Sequence, residues 1–172
     1  LYKPMPGYRF IASNTDRSRY YVGELNGKSS KQAYMDALHI SESNIINQTF
    51  HNPLGKMNGQ DICIISLKEV SGNGLCCYRQ VNDSDVLVLL EEQDYNEILD
   101  ETLQRIRRDF NHISGVFSIN CVFRYLLFSQ EHHMEDYLKT MSTLGDHAGL
   151  IGFGEHYNQQ FVNQTMTCVV FE

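Results

Sequence analysis

From residue 86 onward the chain alternates apolar runs of strand length with amphipathic stretches of helix length, and this alternation restricts its fold more than any other feature. Val86-Leu-Val-Leu-Leu90 is a continuous apolar run of the kind that forms a buried strand. Asp94 follows, with Glu97 three residues on, in the manner of a capping box with Asp in place of Ser or Thr. Tyr95, Ile98, Leu99, Leu103, Ile106 and Phe110 then recur at helical spacing. Gly115-Val-Phe-Ser-Ile119 reads as a strand. A second helix is predicted from Ser129, striped by Met134, Tyr137, Leu138, Met141 and Leu144 and capped by Gly145. Strands at about 148–155 and 164–171 close the chain; those two last strands are expected to form a hairpin. Strands joined through helices lie parallel by right-handed crossovers.

Upstream, the connections are tight turns, which implies antiparallel pairing. Tyr20–Leu25 is a strand closed by Asn26-Gly27, the turn pair of two-residue hairpins. Ser29 or Ser30 caps a short helix with Ala33, Tyr34, Ala37 and Leu38 on one face. Residues 41–59, polar, rich in Asn and including Asn52-Pro53-Leu54-Gly55, are expected to form a long loop. Asp61–Leu67 and Leu75–Val81 make a hairpin around Ser71-Gly-Asn-Gly74. Residues 1–16 are expected to be an irregular lead-in, with a short strand at Tyr8–Ala12, and residues 17–172 the folded domain. The fold class is α+β: a mixed sheet with antiparallel hairpins in the first half, a βαβαβ-like second half, and helices packed on the sheet.

Size and charge exclude several roles. With 172 residues and 42% hydrophobic content the chain can bury a real core. The net charge is −7, and Arg105, Arg107 and Arg108 share their helix with Asp109, so nucleic acid is not an expected partner. No apolar run reaches the length of a membrane span, so membrane insertion is not expected either. The five cysteines are odd in number and form no C-x-x-C pair; Cys63 and Cys168 lie in apolar strand-like runs, as small hydrophobes do. They are expected to be buried and reduced, which points to a cytoplasmic location.

Chemistry concentrates in the last third. Asn120-Cys121-Val-Phe-Arg124 follows a strand, and ligands bind where such strands end in sheets with crossover helices. A helix N-terminus lowers the pKa of a thiol placed there, which makes Cys121 a candidate nucleophile with His147 or His156 as base; the competing reading is an inert buried thiol. Arg124 is placed to clamp a carboxylate, or to pair with a structural acid. Gly149-Leu-Ile-Gly-Phe-Gly-Glu155 puts a carboxylate on a pliable backbone, with Gly152 and Gly154 allowing close approach. Glu155 is suited to an amine, or to pairing with Arg124. Asn163 either contacts a ligand or ties a turn. The adjacent His132 and His133 point apart on a helix and make no metal site. No catalytic residue, metal or cofactor is assigned.

In this order these elements resemble the C-terminal part of the FIST domain, over roughly residues 17–172. Tyr21-Val-Gly-Glu-Leu25-Asn-Gly27 resembles its opening, and Pro53-Leu54-Gly55 its Pro-Leu-Gly element. Cys121 to Arg124 matches the Cys-x-x-Arg element, Gly152, Gly154 and Glu155 the Gly-x-Gly-Glu element, and Asn163 with Thr165 the Asn-x-Thr strand. The resemblance implies an intracellular sensory module of signal-transduction proteins that binds small molecules such as amino acids. It also implies attachment to an output domain, for example a kinase, chemotaxis transducer or cyclase, with an F-box in eukaryotic relatives. The amino-terminal half that usually accompanies this region is absent from the sequence, so a fragment of a longer protein is expected.

Three readings follow. In the first, a sensor holds an amino-acid zwitterion between Arg124 and Glu155, with Cys121, Gly152, Gly154 and Asn163 around it and an apolar wall from Phe153 or Tyr125. The second is a thiol enzyme using Cys121. The third is a structural or dimerisation module with no ligand.

Overall fold

The structure is a computed structural model that describes residues 1–59, 61–157 and 160–172, with the side chains of Tyr157 and Gln160 left out of the description. Its contacts cluster into two compact units, Tyr2–Glu92 and Gln93–Glu172, the latter with Leu1. The fold is α+β, with antiparallel hairpins and with helices against the sheets.

The first unit builds an antiparallel sheet. Its strands are β1 (Tyr2–Asp16), β2 (Tyr21–Leu25), β3 (Lys28–Ser29), β4 (Leu54–Asn58), β5 (Asp61–Ile65), β6 (Leu67–Ser71), β7 (Gly74–Cys77) and β8 (Val86–Glu92). They run in the order β5-β4-β8-β1-β2-β7-β6, with β3 paired to β2. Val22, Leu25, Leu54, Ile65, Leu75, Leu87 and Leu89 fill the core together with Tyr34 of helix α1 (Ser30–Leu38). Of the two serines the sequence offers, Ser29 caps that helix by accepting from Gln32 N. Asn26 and Gly27 both have positive φ, 52° and 73°, which gives a two-residue turn the twist its flanking strands require.

Three expectations are corrected here. The lead-in is a long strand, because its prolines fall where the ladder tolerates them. The register of β1 against β8 shifts between Pro4 and Arg9, and this irregular stretch takes up Pro6 and Gly7, the latter at φ +86°. The loop expected at 41–59 contains a short 3-10 helix (Glu42–Asn44), helix α2 (Ile45–Gln48) and β4. Burial of Ile45 in the core overrides the low local propensity of the Asn-rich segment. The hairpin around residues 71–74 pairs β6 with β7, while 61–65 pairs with β4 instead.

The second unit begins with helix α3 (Tyr95–Asp109), capped by Asp94, whose side chain accepts from Asn96 N and Glu97 N. Then come β9 (Gly115–Cys121), α4 (Val122–Gln130), α5 (Met134–Met141), β10 (Asp146–Gly152), the hairpin β11 (Glu155–Tyr157) and β12 (Gln160–Val162), and β13 (Met166–Phe171). β9 is central, parallel to β10 and antiparallel to β13. The mixed part of the structure is thus this three-stranded sheet, and its one parallel pair is joined through α4 and α5. β8 hydrogen-bonds within the first sheet, so it does not enter this crossover unit.

Helix boundaries differ from the sequence reading. Ser129 lies near the end of α4, where its hydroxyl donates to Tyr125 O at 2.7 Å. α5 ends at Met141, before Gly145, and the two last long strands flank β9 rather than pair with each other. All five cysteines are free; Cys76, Cys77 and Cys121 are buried, and Cys63 and Cys168, expected to be buried, are half-buried. Among the described residues no helix is long and apolar enough to cross a membrane.

Candidate functional site

The end of β9 gathers the residues singled out from the sequence. Cys121 closes the strand and serves as the N-cap residue of α4. Its N–H donates to Thr165 O at 3.0 Å, which ties the approach to β13 against the strand end. In the parallel register Gly152 is its partner on the other side. Arg124, in the first turn of α4, is 7% exposed. Its guanidinium carbon lies 4.6 Å from the Phe128 ring centroid and 5.5 Å from that of Tyr137, within range for a cation over an aromatic face.

Glu155 opens β11 and is 3% exposed. The Thr165 hydroxyl donates to its Oε2 at 2.5 Å, while its Oε1 is buried and makes no hydrogen bond among the described residues. Burial pushes the Glu155 carboxyl up, against weaker opposing pulls from the Thr165 hydroxyl and then the Arg124 charge. Asn163 is also buried. Gly154 has φ +129°, and a Cβ there would overlap Phe161 and come within 2.8 Å of Asn163 Oδ1. Only glycine lets the chain pass between those two side chains. At Gly152 the nearest atom to a Cβ would be 3.5 Å away, so that position is not crowded.

Cys121, Arg124, Gly152, Gly154, Glu155 and Asn163 therefore share one end of the three-stranded sheet. Their polar side chains are packed inside rather than spread over a cleft. A cavity of about 350 Å³ lies alongside, lined by Val162, Thr165, Met166, Thr167 and Cys168. Thr165, which donates to Glu155, links the cavity to the cluster, a position that Asn-x-Thr alone does not reveal.

The thiol does not have the environment of a nucleophile. Burial pushes the Cys121 thiol up, against weaker opposing pulls from the backbone N–H groups of Gln164, Phe123 and Arg124, the last two at the helix N-terminus. His147 Nε2 is 2.9 Å from Ser118 Oγ, and the His156 ring packs on Phe161 at 5.3 Å. His133 packs against the rings of Tyr95 and Phe128, which also touch each other.

A second cavity, of about 330 Å³, went unseen in the sequence. Ser118, Asn120 and His147 meet there beside Tyr125, Met134, Leu138, Leu150 and Ile151. The available signal was period two: Ser118 and Asn120 share one face of β9. His147 could not be added without knowing that β10 lies next to β9.

Two comparisons with known proteins match nothing, and one does match. The family model described as FIST C domain matches residues 31–158, more than half of the chain. That span includes Cys121, Arg124, Gly152, Gly154 and Glu155 and stops before Asn163. No curated protein and no solved structure matches.

Proposed function

The chain belongs to the FIST C domain family, a family of sensory domains associated with signal transduction, and from that membership we propose that it senses a small molecule of the amino-acid class at the end of β9. One observation carries the reading: a basic and an acidic side chain, Arg124 and Glu155, are both buried at the carboxyl end of the central strand, and Glu155 Oε1 makes no hydrogen bond among the described residues. Buried acceptors are normally satisfied, and an α-ammonium group supplies the donor that Glu155 Oε1 lacks. Arg124 offers a planar fork to the carboxylate of the same ligand. The cavity beside Thr165 provides room for a side chain.

The wider setting follows the family. We place the module in the cytoplasm, with an amino-terminal FIST half and a signalling output domain as its partners.

A thermal-shift screen over amino acids tests the reading, because a ligand of the native state raises the melting temperature. The expected result is a rise with one or a few free amino acids, lost when the amine is acetylated or the carboxylate amidated. No rise with any free amino acid, or a rise that survives both blocking groups, contradicts it.

A further inference from the structure

The second cavity shares no lining residue with the Arg124–Glu155 cluster, and its chemistry is different. Its walls are the aromatic and aliphatic side chains of Tyr125, Met134, Leu138, Leu150 and Ile151, and about 330 Å³ is enough for a small ring system. Leu138, Leu150 and Ile151 remain roughly half exposed at its mouth, an unfavourable arrangement for aliphatic groups that a bound apolar molecule would relieve.

Polar groups of the lining largely satisfy one another. Ser118 Oγ and His147 Nε2 are 2.9 Å apart. Asn120 Nδ2 donates to Tyr137 OH at 2.9 Å and reaches Ser118 Oγ at 3.4 Å. Among the buried side-chain polar atoms of the lining one acceptor is left over: Asn120 Oδ1 makes no hydrogen bond among the described residues. Among the described residues the lining includes no Asp, Glu, Lys or Arg, and burial lowers the pKa of His147, which favours its neutral form. A charged ligand would lose its hydration there without gaining a counter-charge. A neutral one with a single donor loses little.

We propose that the cavity lined by Asn120, Tyr125, Leu138 and Ile151 is a second ligand site, for a neutral ring-sized apolar molecule that carries one N–H or O–H donor to Asn120. The site is separate from the one proposed for an amino acid and admits a different class of molecule.

Indole and N-methylindole are the probes, since they differ in the donor and little in shape. Binding is followed by methyl and side-chain amide NMR on the whole chain. Indole is expected to shift the methyl signals of Leu138, Leu150 and Ile151 and the Asn120 amide. N-methylindole should bind roughly five- to tenfold more weakly, the effect of one hydrogen bond to an otherwise unsatisfied acceptor. Leu138→Trp and Ile151→Trp fill the cavity from its partly exposed rim, and each should abolish indole binding while the melting curve stays cooperative. Three results overturn the proposal: no shift at these methyls up to the solubility of indole, equal affinity for the two probes, or undiminished indole binding in the filled variants.

Discussion

Thr165 donates its hydroxyl to Glu155 Oε2 across 2.5 Å, which makes a residue at the start of the last strand the hydrogen-bond partner of the buried carboxylate. The bond joins the β11–β12 hairpin to the segment that enters β13. It also opposes the burial that raises the Glu155 pKa. Thr165→Val keeps the shape and removes the donor. The variant is expected to lose about 1–3 kcal/mol in denaturant unfolding, the range for losing a hydrogen bond to a charged or buried acceptor. Its Glu155 should titrate at higher pH than in the parent chain. Unchanged stability and titration would mean the bond contributes nothing.

Glu155 also gives folding a pH dependence of definite sign. Its folded-state pKa is raised, so the folded chain holds the proton more tightly than the unfolded chain. The stabilisation is fully present below the ordinary carboxylate pKa and is lost as pH rises through the raised value. Glu155→Gln removes this term. Unfolding free energies measured across the acidic range should therefore fall with rising pH less steeply in the variant. A variant curve parallel to that of the parent would contradict the assignment.

Arg124 is packed against Phe128 and Tyr137, and its charge acts weakly on Glu155. Arg124→Met retains much of the apolar stem and deletes the charge. The expected cost is about 2 kcal/mol, that of a desolvated cation–aromatic contact. The Glu155 pKa should rise further, since the Arg124 charge is one of the influences that hold it down. A loss in the melt without any change in Glu155 titration would make Arg124 a packing residue alone.

Much of this arrangement was legible from residue order, and the remainder depended on pairing. The Asp94 cap, the α1 cap at Ser29 and the Asn26-Gly27 turn are local devices, and each formed as read. Strand β1 was missed because Pro4, Pro6 and Gly7 look like a lead-in until a register shift is allowed for. Segment 86–92 reads as a buried strand, but nothing within it specifies β1 and β4 as neighbours. The convergence of Cys121, Arg124 and Glu155 followed from the rule about strand ends. Their burial did not, since it depends on the β11–β12 hairpin folding beside them. Ser118, Asn120 and His147 come together only through the β9–β10 register.

Gly154 tests how closely the chain must pass its neighbours. Gly154→Ala places a methyl group against Phe161 at a φ of +129°. Backbone strain of this kind costs about 1–3 kcal/mol, and the overlap adds to it. At Gly152, with more space around it, the corresponding Gly152→Ala should cost less. Differential scanning calorimetry of the two variants checks the order, and a larger loss at Gly152 would reverse it.

The most direct test of an amino-acid site is the titration of Glu155 itself, read from the side-chain carboxyl carbon by NMR with and without each free amino acid at millimolar concentration. In the ligand-free chain a pKa above the usual carboxylate range is expected, because burial dominates there. A downward shift is expected with the amino acid that binds, as its ammonium group pairs with the carboxylate, and no shift with the acetylated form. A Glu155 titration that no amino acid alters would contradict the account.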